Sequence, residues 1–381
     1  MNPAGGRILV VDDVEANRDL LARRLEKLGH RVETAIDGAQ ALALLAGGGF
    51  DLMLLDIMMP VMDGFEVLAR VRADDTLRHL PVIVISALGE LEAVVRCIEL
   101  GADDHLPKPF NPVILRARVG ACLEKKALRD QERLWARSLE RELEIGHEIQ
   151  KDFLPGAIPE VPGWELAARF EPARQVAGDF YDAFPLPGGR LMLVIADVCG
   201  KGVGAALYMA LFRTLIRAVA AQAPGPPEET LARAAQATSD YIATTHERSS
   251  MFATAFLAML EPDTGRLPYL NAGHEAPLVL AGTRPRTRLA PTGPALGLLP
   301  GLAFTLAETL LAPGETLVLY TDGITEAIGA AGMFGDDRLL QALAAPAASA
   351  GALLDALLGA VREHAAGFQP SDDITLLALR R

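Results

Sequence analysis

Ile8-Leu9-Val10-Val11-Asp12-Asp13 is a short apolar run that stops at two carboxylates. The pattern returns twice: Leu52-Met53-Leu54-Leu55 ends at Asp56, and Pro81-Val82-Ile83-Val84-Ile85 ends at Ser86. Between these runs Leu20, Leu21, Leu25 and Leu28 recur at helical spacing before Gly29, and Ala39 to Ala46 reads as a helix closed by Gly47-Gly48-Gly49. Val32 to Ala35 fits a further strand. Continuous apolar strands separated by helices predict a parallel sheet covered on both faces.

Composition narrows the rest. The chain has 381 residues, half of them apolar, which suits two domains with sizeable cores. Aromatics make up only 5%, so Ala, Leu and Val must fill the interior. A net charge of −13 opposes nucleic acid or an anionic membrane as partner, because both need a basic surface. The 3 cysteines, Cys97, Cys122 and Cys199, form no C-x-x-C pair and suggest a reducing compartment. No uninterrupted apolar run reaches the roughly 18 residues of a membrane span, and the N-terminus lacks a signal-peptide pattern. A cytoplasmic protein is the expectation.

Residues 124–152 change character: more than half are charged, with signs interleaved. Leu128, Trp135, Leu139, Leu143, Ile149 and Phe153 supply an apolar stripe, so a long exposed helix burying one seam, as in a dimer, is expected. Glu142 interrupts a strict heptad. Leu154-Pro155 ends this helix. Beyond it, strand-like runs at 191–196, 253–260, 316–320 and 374–379 mix with helical segments at 204–220, 228–244, 339–343 and 352–364, an α+β order. The expected division is 1–122, a helical, possibly coiled-coil linker over 123–155, and 156–381.

In a parallel sheet, strand ends converge on the edge where ligands bind. Asp12, Asp13 and Asp56 would repel one another there unless a cation bridges them, and all-oxygen ligation suits Mg²⁺. Ser86 and Lys108 at the same edge can hold phosphoryl oxygens. Such a set makes an aspartyl-phosphate site. The combined spacing, with Asp56-Ile57-Met58-Met59-Pro60 and Lys108-Pro109, resembles the receiver domain of two-component response regulators, a flavodoxin-like doubly wound fold. The resemblance implies that Asp56 accepts a phosphoryl group from a sensor histidine kinase or phosphotransfer protein. It also implies Mg²⁺ on Asp12, Asp13, Asp56 and the Met58 carbonyl, with Ser86 and Lys108 reading the phosphorylated state. The aromatic switch position of that family holds His105 here.

Farther along, Asp197, Asp322 and Asp372 each adjoin an apolar run, where an unpaired carboxylate is costly. Without a zinc-type His or Cys set, Mg²⁺ or Mn²⁺ is favoured, and two bridged ions could activate water and clamp phosphate. Gly200-Lys201-Gly202 is not a P-loop, since Ile195 stands at the upstream glycine position and no Ser or Thr follows the lysine. No cysteine has an arginine six residues on, as cysteine-phosphatase chemistry requires.

Gly178-Asp179-Phe180-Tyr181-Asp182, Asp197-Val198-Cys199-Gly200-Lys201-Gly202, Asn271-Ala272-Gly273-His274, Thr321-Asp322-Gly323 and Asp372-Asp373-Ile374-Thr375 together resemble the metal-dependent serine/threonine phosphatases (PPM) of the RsbU/SpoIIE type. That resemblance implies a β-sandwich flanked by helices and two Mn²⁺ or Mg²⁺ ions bridged by Asp197. Asp179 and the Val198 carbonyl would serve one ion, and Asp322 and Asp372 the other. Asp373 stands as the adjacent candidate if the last register is off by one, and Asp182 as a candidate outer ligand or an ordinary loop carboxylate. His274 reads as structural and Cys199 as a small filler. The implied function is a response regulator whose output dephosphorylates phosphoserine or phosphothreonine on a protein such as an anti-sigma-factor antagonist. A phosphorylation-gated partner-binding pseudophosphatase is the alternative, whereas a DNA-binding output lacks a basic recognition helix.

Overall fold

The computed structural model describes residues 5–87, 91–222 and 225–381, with Leu91 described by its backbone only. The chain packs as two compact units, Met1–Leu139 and Glu140–Arg381. The first contains β1 (Arg7–Val11), α1 (Glu15–Lys27), β2 (Arg31–Ala35), α2 (Gly38–Ala46), β3 (Leu52–Asp56), α3 (Gly64–Ala73), β4 (Val82–Ser86), α4 (Leu91–Glu99), β5 (Asp104–Pro107) and the start of α5 (Pro112–Phe153). Its sheet is parallel with order β2-β1-β3-β4-β5.

Both faces of that sheet are buried, which is why its central strands read as unbroken apolar runs. Ile8, Val10, Leu52, Leu54, Ile83 and Ile85 face α1 and α5 through Leu21, Leu25, Leu115 and Val119. Leu9, Val11, Met53, Leu55, Val82 and Val84 face the other side, against Ala41, Leu45, Val67, Val71 and Cys97. Asp37 and Asp63 cap α2 and α3, accepting from the backbone N–H groups of Gln40 and Glu66.

The second unit contains β6 (Glu165–Glu171), β7 (Phe180–Leu186), β8 (Arg190–Val198), α6 (Val203–Gln222), α7 (Pro227–Thr245), β9 (Ala253–Leu260), β10 (Arg266–Ala272), β11 (Leu278–Ala281), β12 (Arg284–Arg288), β13 (Ala307–Leu310), β14 (Glu315–Tyr320), α8 (Asp322–Thr325), β15 (Ile328–Gly329), β16 (Gly332–Met333), α9 (Gly335–Leu343), α10 (Ala350–His364) and β17 (Ile374–Arg380). Two antiparallel five-stranded sheets, β13-β10-β9-β8-β7 and β12-β11-β14-β17-β6, form its scaffold. Leu191, Leu193, Ile195 and Phe256 of the first sheet pack against Leu317, Leu319, Leu377 and Leu379 of the second. The alternate residues Met192, Val194 and Ala196 turn outward to α6 and α7. Val318, Tyr320, Leu376 and Ala378 turn outward to α9 and α10. The result is a helix–sheet–sheet–helix sandwich, as the period of two along each strand requires.

Two features refine the sequence reading. The four strands found from apolar runs, β8, β9, β14 and β17, are all central and buried on both faces. The strands it missed include all four sheet edges, β6, β7, β12 and β13, where one flank meets solvent and polar residues are tolerated. Among the described residues α6 is long and apolar enough to cross a membrane by length and composition, although it contains Arg213 and Arg217 and no unbroken apolar run. Its Ala205, Met209, Phe212 and Ile216 are buried in the sandwich.

One helix of 42 residues, α5, begins inside the core of the first unit at Pro112 and runs to Phe153, through most of the stretch expected as a helical linker. Of the expected apolar stripe, Leu128, Trp135, Leu139 and Ile149 stay exposed, whereas Phe153 packs against the α6 side of the second unit's core. Replacing the fully buried Leu54 by Ala should cost about 2–5 kcal/mol, whereas Leu128→Ala should stay within about 0.5 kcal/mol. Denaturant midpoints of the two variants check this; equal losses would refute the core assignment.

Candidate functional site

The first unit gathers Asp12, Asp13 and Asp56 at the C-terminal ends of β1 and β3, with carboxylate oxygens within 4.8 Å of one another. Lys108, just past β5, reaches into this group. Its Nζ lies 2.8 Å from Asp56 Oδ2 and 3.0 Å from Asp12 Oδ2. Asp12 Oδ1 accepts from the Val14 N–H and the Asn17 side chain, and Asp56 Oδ1 accepts from the Ile57 N–H. Burial pushes the Asp56 pKa up to about 6; the Lys108 hydrogen bond opposes that rise and the Asp12 charge adds to it.

Ser86 ends β4 and is buried, and its carbonyl accepts from the Lys108 N–H at 2.8 Å. Met58 lies in the β3–α3 loop with an exposed side chain. His105 sits on β5 opposite Val84, with Nδ1 3.8 Å from Asp104. Gly64 permits the close turn beside Asp56, since a Cβ there would meet the Asp56 carbonyl at 2.4 Å.

The second unit builds its acidic group at one end of the sandwich. Asp197 lies on β8 opposite Thr254, and Asp179 immediately precedes β7, where Phe180 pairs with Ala196. From the other sheet, Asp322 follows β14 and Asp372 precedes β17. Asp179 is buried, and its Oδ2 accepts from the Thr321 and Thr375 hydroxyls at 2.7 and 2.8 Å. Burial, and then the charge of Asp197, raise its pKa well above the carboxylate range. Burial is also the leading cause for Asp197, raised to about 6, and for Asp322, raised to about 7 with help from Asp197 and Asp372.

Asp372 is 2.7 Å from Lys201 Nζ, which also donates to the Ser371 carbonyl at 2.6 Å. Asp179, Asp197 and Asp322, whose carboxyl pKa values burial raises, offer with Asp372 an all-oxygen donor set of the kind that suits Mg²⁺ or Mn²⁺. Gly178 belongs to the same construction: a Cβ there would stand 2.8 Å from the Val198 carbonyl.

Two of the named alternatives turn elsewhere. Asp373 accepts from the backbone N–H groups of Ala173 and Gly178, both at 2.8 Å, and so braces the loop that carries Asp179. Asp182, three residues along β7, is buried against Arg213 and Arg217 of α6. His274 is buried with Nδ1 2.9 Å from Thr254, and burial lowers its pKa to about 4, which suits a structural imidazole.

Sequence reasoning did not assign roles to Thr321, Thr375, Lys201 or Gln150. Gln150 on α5 is buried. Its amide donates to the Ala177 carbonyl at 2.7 Å and accepts from the Ala177 N–H at 2.9 Å, two residues before Asp179. In the sequence Gln150 directly follows Ile149 of the apolar stripe, on a helix otherwise read as solvated.

Comparison with known proteins fits this geometry. Residues 187–381 match the family Stage II sporulation protein E (SpoIIE), and residues 8–120 match the response regulator receiver domain. Protein IcfG of Synechocystis sp. (strain ATCC 27184 / PCC 6803 / Kazusa) is 40% identical over 264 residues, covering 63% of this chain and 41% of IcfG. The response regulator PleD of Caulobacter vibrioides is 46% identical over 125 residues, 33% of this chain and 28% of PleD. The chain thus spans less than half the length of either curated relative. The SiaA-PP2C domain of Pseudomonas aeruginosa shares the fold, with a TM-score of 0.56 at 22% identity over 65% of this chain and 98% of that one. Phosphatase domains of this kind generally use divalent metals. The chain belongs to the SpoIIE family of PPM-type phosphatases and carries a response regulator receiver domain ahead of that phosphatase domain.

Proposed function

We propose that phosphorylation of Asp56 in a receiver of residues 1–122 controls, through a linker over 123–155, the dephosphorylation of a protein phosphoserine or phosphothreonine by residues 156–381. The observation that carries this reading is the pair of hydrogen bonds from Gln150 of α5 to Ala177, which ties the linker helix to the loop holding Asp179. A sensor histidine kinase or phosphotransfer protein would supply the phosphoryl group. The protein substrate of choice is a phosphorylated anti-sigma-factor antagonist.

In the receiver, Asp56 acts as nucleophile and must be ionised, which its pKa of about 6 allows at neutral pH. Asp12, Asp13, Asp56 and the Met58 carbonyl would hold Mg²⁺. Lys108 already points at Asp56 and would take up a phosphoryl oxygen, as would the Ser86 hydroxyl. His105 replaces an aromatic switch, so the change is relayed by Ser86 and Lys108 pulling on β4, β5 and the start of α5.

In the phosphatase unit Asp197 would bridge two Mn²⁺ or Mg²⁺ ions, with Asp179 and the Val198 carbonyl on one and Asp322 and Asp372 on the other. Divalent ions there supply Lewis acidity toward water and phosphate oxygens. The chain's own part is positional. Thr321 and Thr375 orient Asp179, and Asp373 fixes the Ala173–Gly178 loop. A shift of α5 that breaks the Gln150 hydrogen bonds would move Asp179 relative to Asp197. The exposed Leu128, Trp135 and Leu139 seam supports a homodimer formed through α5.

Mn²⁺-dependent release of phosphate from a phosphoserine protein should change by about 5-fold or more when wild-type protein receives a phosphoryl mimic. Asp56→Asn should remove that response, and Gln150→Ala should blunt it while keeping the mimic bound. Equal rates in all conditions would refute receiver control.

A second outcome concerns pH. Asp197 and Asp322 have folded pKa values above their unfolded ones, so they favour the metal-free fold below about pH 4, and that contribution is lost as pH rises through about 6 to 7. Metal-free Asp322→Asn should therefore melt higher than wild type at pH 8 but not at pH 4, and calorimetry should show weakened Mn²⁺ binding. A melting temperature below wild type at pH 8 would contradict the repulsion argument.

Sedimentation should give the mass of two copies for wild type, and of one for Trp135→Glu. A monomeric wild type, phosphorylated or not, would remove the dimer.

A further inference from the structure

Lys125, Arg129, Arg133 and Arg137 follow one another at four-residue spacing on α5, which aligns them along one ridge of the helix. Like charges so placed repel one another. Lys125 stands 3.7 Å from Asp103, but Arg129, Arg133 and Arg137 form no ion pair among the described residues. In a chain of net charge −13 this is a local inversion of sign.

The ridge does not face open solvent alone. Arg129, Glu132 and Arg133 line a cavity of about 650 Å³ whose other wall is Arg72, Arg78 and His79. Arg72 donates to the carbonyls of Gly101, Arg78 and Leu80 and to Asp103, so it holds the wall together while adding its charge. Among the described residues the Arg78 guanidinium meets the exposed Asp75, at 3.1 Å, and the His79 ring. Desolvation first, and then the charges of Arg133, Arg78, Arg129 and Arg72, lower the His79 pKa, an independent sign of the positive potential here. A second cavity, of about 770 Å³, shares His79 and Arg133 with the first. It is floored by Leu42, Leu45, Phe50, Leu77 and Leu80 and edged by the Gly47-Gly48-Gly49 turn.

We propose that this double cavity, at the foot of the receiver sheet, binds a nucleoside di- or triphosphate. The polyphosphate lies against Arg78, His79, Arg129 and Arg133, and the base lies on the apolar floor beside them. Two or more phosphates supply the anions that the guanidinium groups lack, and guanidinium is the side chain best shaped to grip them. Both volumes fall within the range of small-molecule sites. The strongly negative chain repels a membrane or a nucleic acid, which must approach over a wide surface, whereas a small anion meets only the local field. The bound molecule would join the α3–β4 loop to the stretch of α5 beyond the receiver core. This site lies apart from both acidic clusters, and it stands or falls independently of the phosphatase reading.

Calorimetric titration of the full chain with ADP, ATP, GTP and inorganic pyrophosphate tests the assignment. At least one nucleotide should bind with micromolar affinity, weakening as salt rises from roughly 50 to 200 mM. Arg129→Ala combined with Arg133→Ala should lose about 10-fold or more, while Arg284→Ala, on the exposed edge strand β12, should bind like wild type. Both arginines are exposed on a helix surface, and far-ultraviolet circular dichroism confirms that the variants remain folded. Absence of binding at about 1 mM, equal affinity in the double variant, or pyrophosphate binding as tightly as every nucleotide would each overturn the proposal. Retention of anionic vesicles or RNA by a protein that ignores nucleotides would do the same.

Discussion

Ionisable carboxyl groups brought out of water and close together are the costly feature around which this protein is organised. An isolated carboxylate avoids burial or gives up its charge, and Asp179, Asp197 and Asp322 show that pressure in their raised pKa values. The two acidic clusters relieve it differently. In the receiver, the Lys108 ammonium sits between Asp12 and Asp56 and supplies the countercharge directly. In the phosphatase unit, Asp179 accepts from the Thr321 and Thr375 hydroxyls, and the Lys201 ammonium pairs with Asp372. Burial therefore weighs more heavily on the carboxyls of the second cluster.

That strain persists because the sandwich outweighs it. Asp179 and Asp197 hang from neighbouring strands of one sheet, and Asp322 and Asp372 from neighbouring strands of the other. The dry layer of Leu, Ile and Phe between the sheets holds those strand ends at a set separation. Gly178 and Gly323 let backbone come close at the same end; a Cβ on Gly323 would stand 2.0 Å from the Asp373 carbonyl. Packing density and charge crowding are thus two sides of one arrangement: rigid apolar layers store repulsion at their rim.

α5 gives the molecule its second theme. The 42 residues of α5 run from the first unit into the second, and its successive parts meet different surroundings. Leu115 and Val119 are buried in the receiver core, the middle is solvated with an apolar seam and a basic ridge, and Gln150 near the end is buried against Ala177. One continuous element therefore carries core packing, candidate recognition surfaces and a hydrogen-bonded grip on an acidic site.

Apolar runs and the carboxylates that end them were legible from residue order alone, because period and strand termination are local properties. The parallel receiver sheet, four of the six interior strands of the sandwich and the long helix followed from that order. The rest required the chain to meet itself. Edge strands such as Arg284–Arg288 carry too little apolar pattern to be read locally. Adjacent Asp372 and Asp373 look alike in sequence, yet one faces Lys201 and the other the backbone of Ala173 and Gly178, nearly two hundred residues away. Asp182 looks like its neighbour Asp179 until α6 brings Arg213 and Arg217 against it. A side chain's type is written in the sequence, but its partner is chosen by long-range packing, and for a buried charge the partner decides its state.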